Sequence, residues 1–157
     1  MFLLLLTGAS MAPATQSYDR FGISDAQSER ILSDDYRACM DASGGVTSNM
    51  RDCSAAESQR IDTRLNAAYH AAMARLASAA ARNRLRALER RWIATRYRLC
   101  EHEARNERGG TLWLIIMDAC GLGEDVRRIA WLERYGRRQQ AGARVVSPPA
   151  ALSPPPG

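Results

Sequence analysis

The placement of four cysteines constrains this chain more than any other feature. Cys39 and Cys53 stand at equal distances on either side of Val46, beside Gly44-Gly45, and Cys100 and Cys120 stand at equal distances on either side of Gly110, beside Gly109-Gly110. In two antiparallel helices joined by a bend, positions symmetric about the bend face each other, which is the disposition a disulfide requires. Of the three possible connectivities, the spacing favours Cys39–Cys53 and Cys100–Cys120. Closing loops of this size is worth roughly 3 kcal/mol per bridge in the chain-entropy model. Two such bridges are comparable with the whole stability of a small domain, about 5–15 kcal/mol. Bridges of this kind persist mainly outside the cytosol. A zinc alternative would join Cys100-x-His102 to Cys120 and one further cysteine, but neither pair has the two-to-four-residue gap typical of structural zinc. A catalytic thiol has no evident partner in His70, the other histidine.

Each bridge then staples a helix–bend–helix unit, and the rest of the sequence agrees with an all-α fold. The chain has 157 residues, enough for one domain with tails. Five of its six prolines fall in the last ten residues, so helix breakers are nearly absent from the middle. No run of about 18 apolar residues exists to span a membrane. Asp34-Asp35 open a short helix that Gly44-Gly45 ends, and Thr47, Ser48 or Asn49 can cap the next. Along that second helix Cys53, Ile61, Leu65, Ala68, Tyr69, Ala72 and Leu76 form one apolar stripe, and Leu85, Leu88, Trp92 and Leu99 form another on a third. With a turn over residues 77–83 the two stripes match as an antiparallel hairpin, opposing Leu65 to Trp92, Tyr69 to Leu88 and Ala72 to Leu85. The same register brings Asp62 near Arg96, an ion pair worth under about 1 kcal/mol if exposed.

After Gly109-Gly110, Thr111 can cap a segment reading Leu-Trp-Leu-Ile-Ile-Met, apolar on every side and expected to be buried on most of them. Gly121 and Gly123 are expected to break it, with Asp125 capping a last amphipathic helix through Val126, Ile129, Leu132 and Tyr135. The expected fold is thus a small disulfide-stabilised helical bundle built on a long antiparallel hairpin, with two shorter helices closing over it. Its folded part spans residues 31–135. Residues 1–14 read as a truncated signal sequence: an apolar run from Phe2 to Leu6 precedes Ala12-Pro13-Ala14, and most of an export signal is expected upstream. Residues 15–30 read as a flexible segment, and residues 136–157, rich in arginine and proline, as a disordered tail.

All 22 basic residues are arginine, against 17 carboxylates, for a net charge of +5. The balance is uneven. Residues 31–63 carry six carboxylates and three arginines, whereas residues 64–108 carry eleven arginines and four glutamates. An arginine-studded helical face attracts anionic partners. A nucleic-acid binder is one reading of it, opposed by the export remnant, the cysteines and the lack of any reading motif. No nucleophile–base pair, metal-ligand cluster or phosphate-binding glycine loop points to an enzyme or a cofactor.

An ordered set of residues carries a resemblance. Cys53, Asp62-x-x-Leu65-Asn66-x-x-Tyr69, Leu85, Trp92-x-x-x-Arg96-x-x-x-Cys100, Gly109-Gly110-Thr111, Cys120 and Arg128-x-x-x-Leu132 resemble the LprI-type lysozyme inhibitor family, from Cys39 to Leu132. Three positions depart from the family pattern: Glu89 where Gln is usual, Tyr97 in place of Asp, and Asp125 where Thr commonly caps the last helix. The resemblance implies a small exported helical protein, periplasmic or secreted, that binds rather than catalyses, with a lysozyme-type muramidase or another envelope protein as partner. A plain structural or interaction protein of the envelope is the alternative. A vertebrate-type lysozyme is itself strongly basic, so long-range steering toward a +5 inhibitor is unfavourable, and an acidic cell-wall hydrolase suits the charge better. Against a basic target, the acidic groups Asp34, Asp35, Asp41 and Asp52 would have to make the contact.

Overall fold

The computed structural model describes residues 30–146, which form four α-helices and one short 3-10 turn. The helices are α1 (Asp34–Ala42), α2 (Thr47–Ala74), α3 (Ala79–Glu103) and α4 (Thr111–Val146), with the 3-10 turn at Arg105–Glu107 between α3 and α4. The fold is all-α and stapled by two disulfides. None of the described helices is long and apolar enough to cross a membrane. The expected segment 1–14, the expected segment 15–30 up to its last residue, and the proline-rich residues 147–157 lie outside the described residues.

Local chemistry sets most helix ends. Ser33 caps α1, its hydroxyl accepting from the Tyr36 amide at 3.0 Å. Gly44 and Gly45 then take φ of 60° and 75°, a left-handed bend that side-chain-bearing residues avoid, and they turn the chain into α2. Helix α2 starts without a side-chain cap: Val46 occupies the N-cap position and Thr47 is already helical, so none of Thr47, Ser48 or Asn49 serves as the expected cap. The turn between α2 and α3 is shorter and earlier than residues 77–83. Helix α2 ends at Ala74 and Ser78 caps α3 by accepting from the Ala81 amide at 3.1 Å. Helix α3 stops at Glu103, before the diglycine, and Gly109 supplies the left-handed residue (φ 85°) that redirects the chain into α4.

Both bridges form as the spacing favours, Cys39–Cys53 across the α1–α2 bend and Cys100–Cys120 across the α3–α4 bend. Their Cα–Cα separations are 5.7 Å and 5.6 Å, within the usual disulfide range. With Cys100 and Cys120 joined to each other, a zinc site at Cys100-x-His102 loses its thiolates.

The largest correction concerns α4. Gly121, Gly123 and Asp125 lie inside one continuous helix of 36 residues rather than at a break, so Asp125 caps nothing. Two glycines in a helix interior cost about 1 kcal/mol each relative to alanine. Burial outweighs this, since Leu122, Val126, Ile129 and Leu132 are all core residues. The helix also continues past the boundary expected at Gly136, to Val146. Gly136 is buried, and a Cβ there would come within 3.2 Å of the Ala72 Cα, so this glycine permits a close crossing of α4 over the end of α2.

Packing departs from a simple hairpin as well. Helices α2 and α3 scarcely approach each other by backbone; α2 packs chiefly on α4, and α3 packs on α4 too. The stripes still reach one core, in which Ile61, Ala68, Ala72 and Leu76 of α2 join Leu85 of α3 and the middle of α4. Helix α1 is pinned through Glu57 of α2. The Glu57 carboxylate accepts from the Ser33 amide at 2.9 Å and the Ser33 hydroxyl at 2.7 Å, while Arg60 bonds both Glu57 and the Ile31 carbonyl. Burial alone would raise the Glu57 carboxyl, but the hydrogen bonds from Arg60 and Ser33 hold it below the usual range.

Candidate functional site: an apolar groove walled by tryptophan

The segment of α4 expected to be core is only partly covered. Trp113 through Met117 are only half-buried, and Leu112 is 51% exposed. The polar-looking stretch that follows is the buried one, including Glu124, Asp125 and Arg128. The inversion has a geometric cause. Helices α2 and α3 both pack on α4, whose middle is buried, while its first turns are held beside α3 by Cys100–Cys120 and to α2 by Arg51–Asp118.

Across from this segment lies the face of α3 that carries Ile93 and Tyr97, which are 62% and 55% exposed. Between the two helices, with Leu65 of α2 and Trp92 also in the lining, opens a groove of about 620 Å³. Its remaining apolar lining comes from Trp113, Leu114 and Met117. A second cleft of about 370 Å³ shares Leu65, Trp92 and Ile93 with it and adds Asn66, Tyr69, Glu89, Arg86 and Arg90. An apolar concavity with a few placed polar groups is the usual form of a binding site.

A polar network sits behind the groove and fixes its wall. Arg128, buried in α4, donates to Glu89 of α3 through Nε at 3.0 Å and Nη2 at 2.6 Å. Its guanidinium stacks 4.0 Å from the Trp131 ring centroid and 5.4 Å from that of Trp92. Arg96 lies 5.3 Å from the Trp92 centroid and pairs with Asp125 of α4. Trp92 is thus held by two cations, each anchored by a carboxylate. Burial raises the Asp125 carboxyl to about 6, with Asp62 and Glu124 adding repulsion that Arg96 only partly offsets. At the open edge Arg51 Nε meets Asp118 at 3.0 Å. The indole Nε1 atoms of Trp92 and Trp113 are shielded from water and have no acceptor among the described residues, a state that costs about 1–3 kcal/mol per group.

The residues singled out from the sequence fall into three groups. Leu65, Trp92 and Arg96 line the larger groove, and Asn66 and Tyr69 the adjoining cleft. Arg128 and Leu132 are buried in α4 behind it. Asp62 is exposed and does not pair with Arg96, whose partner is Asp125; Asp62 acts on Asp125 only at a distance. The register placed Asp62 opposite Arg96 because it ignored α4, which brings a nearer carboxylate to that arginine. Ile93, Tyr97, Trp113, Leu114 and Met117 were not legible as a site. One signal for them existed, since Ile93 and Tyr97 are apolar positions lying off the Leu85–Trp92–Leu99 stripe. The three departures from the family pattern all lie at or behind this surface: Glu89 on Arg128, Asp125 on Arg96, and Tyr97 at the edge of the groove.

Among the described residues no cluster of three metal-ligating side chains exists. The arrangement can hold an apolar side chain between two tryptophans and present cations around it.

Comparison with known proteins shows the family. Residues 39–132 fit the family model described as lysozyme inhibitor LprI, and the chain belongs to that family. No curated protein and no solved structure matches the chain significantly.

Proposed function

We propose that this member of the lysozyme-inhibitor family is an exported protein that binds a muramidase or another cell-wall hydrolase and blocks it without catalysing a reaction. The observation that carries the reading is the family match, which covers both disulfides, the hairpin and the walls of the groove. Two further features support it. The paired cysteines suit an oxidising compartment, the periplasm or the exterior, and the half-buried Trp113–Met117 segment provides an apolar surface of the kind that marks an interaction site. On this reading residues 31–135 form the binding domain behind an export sequence in residues 1–14. Leu65, Tyr69, Trp92, Arg96, Arg128 and Leu132 are framework residues that hold the groove, with Asp62 and Asn66 on its outer surface.

The experiment is a turbidity assay of cell-wall lysis. The oxidised protein, titrated against a panel of muramidases, slows lysis by at least one of them in a saturable way near molar equivalence. Unchanged lysis across the panel at large molar excess removes the inhibitor reading.

A further inference from the structure

Resting on the reading above, we infer that the groove receives an apolar side chain from an acidic segment of the target, so that the preferred partner is an acidic hydrolase and not a basic lysozyme. The lining fixes the first half of this statement. Two tryptophans with Ile93, Leu114 and Met117 make an aromatic and aliphatic surface, which suits an inserted apolar protein side chain.

Charge fixes the second half. The carboxylates nearest the groove are already neutralised: Asp118 by Arg51, Asp125 by Arg96, and Glu89 by Arg128. Arginines remain. Arg86 and Arg90 line the adjoining cleft on α3, and among the described residues no carboxylate pairs with either; Arg86 bonds only Asn83. Arg84, Arg91 and Arg98, exposed around the rest of α3, likewise have no carboxylate partner among the described residues and add to the same field. Three exposed carboxylates on the same two helices stand against these five arginines: Asp52 and Asp62 of α2 and Glu103 at the end of α3.

This imbalance separates the candidate occupants. A second copy would bring its own arginine row against this one, and residues 136–157, with three arginines and no carboxylate, are repelled in the same way. An acidic segment with an apolar tip satisfies both the lining and the edge. Its carboxylates would sit over Arg86 and Arg90, and its tip between Trp92 and Trp113.

The test uses the full oxidised chain, an acidic bacterial muramidase and a basic vertebrate-type lysozyme, with inhibition and direct binding both measured. Three proteins are compared: the wild type, Ile93→Glu, and the double charge reversal Arg86→Glu with Arg90→Glu. All three sites are exposed, so folding is expected to survive and is checked by helical circular dichroism. The wild type is expected to bind the acidic enzyme at least ~10-fold more tightly than the basic one, with affinity falling as salt rises. Ile93→Glu is expected to lose ~30-fold or more in affinity, as for removal of a central apolar anchor. The charge reversal is expected to weaken binding to the acidic enzyme and to strengthen binding to the basic one. Inhibition that is indifferent to both variants, or stronger toward the basic lysozyme, overturns the inference while leaving the inhibitor reading intact. Inhibition of neither enzyme nor of any other member of the muramidase panel, or binding only to isolated cell-wall glycan, overturns both.

Discussion

Replacing Asp125 with asparagine tests the buried network behind the groove. Asp125 lies on α4 beside Glu124, faces Arg96 of α3, and feels Asp62 of α2; burial outweighs Arg96 and raises its carboxyl to about 6. The folded protein therefore holds this proton more tightly than the unfolded chain, in which the ordinary value near 3.8 applies. The contribution to stability is greatest below the ordinary value, and it falls as pH rises through about 4 to 6. The full gap corresponds to about 3 kcal/mol at neutral pH. Of this, about 1 kcal/mol is lost between pH 5 and pH 7. Asparagine keeps the shape and removes the charge, and the attraction of Arg96 is already counted in the raised value. Asp125→Asn is thus expected to be more stable than the wild type at pH 7, by up to about 3 kcal/mol, and to have lost this part of the pH slope. Urea unfolding followed by circular dichroism at pH 5, 6 and 7, with the disulfides intact, reads both quantities. Parallel slopes in the two proteins, or a variant less stable by more than about 1 kcal/mol at pH 7, would show that the ion pair dominates and burial does not.

The remaining expectations follow from other contacts. Arg128→Ala strands the Glu89 carboxylate against α4 and is expected to cost about 3–5 kcal/mol, with partial recovery in the double variant that also carries Glu89→Gln; urea midpoints measure both. Gly136→Ala places a Cβ 3.2 Å from the Ala72 Cα and 3.1 Å from the Arg75 Cδ, so overpacking of about 1–3 kcal/mol exceeds the gain in helix propensity and the melting temperature falls. Gly121→Ala, with nothing within 4 Å of the new atom, is expected to stabilise by up to about 1 kcal/mol. Replacing Cys100 and Cys120 by alanine opens a loop whose ends are 20 residues apart and is expected to cost about 3 kcal/mol, read again from urea unfolding.

The sequence was most informative where one local rule acts alone. Cysteines placed symmetrically about a bend had to face each other, and the stripes through Ile61, Ala72, Leu85 and Ile129 had to meet in one core. It was least informative where tertiary packing reverses a local signal. The Leu112–Met117 run is apolar on every side, which reads as core, yet it is only half-covered and forms one wall of a groove. Gly121, Gly123 and Asp125 read as a break and a cap, yet that stretch is enclosed by neighbouring helices, and burial of Leu122, Val126 and Ile129 keeps it helical. A pairwise register of α2 against α3 also missed the Arg96–Asp125 pair, because the carboxylate comes from a third helix. The site was hidden for the same reason, since a groove exists only once three helices are placed.

The groove as the contact surface is tested most directly by the indole N–H signals of the three tryptophans during titration with an inhibited hydrolase. Trp92 and Trp113 line the groove, whereas Trp131 stacks on Tyr135 further along α4, with ring centroids 4.7 Å apart. The account predicts that the Trp92 and Trp113 signals shift in step with inhibition while Trp131 changes little. Saturating inhibition with the Trp92 and Trp113 signals unmoved, or with changes confined to the acidic α1–α2 side around Asp34, Asp41 and Asp52, would contradict it.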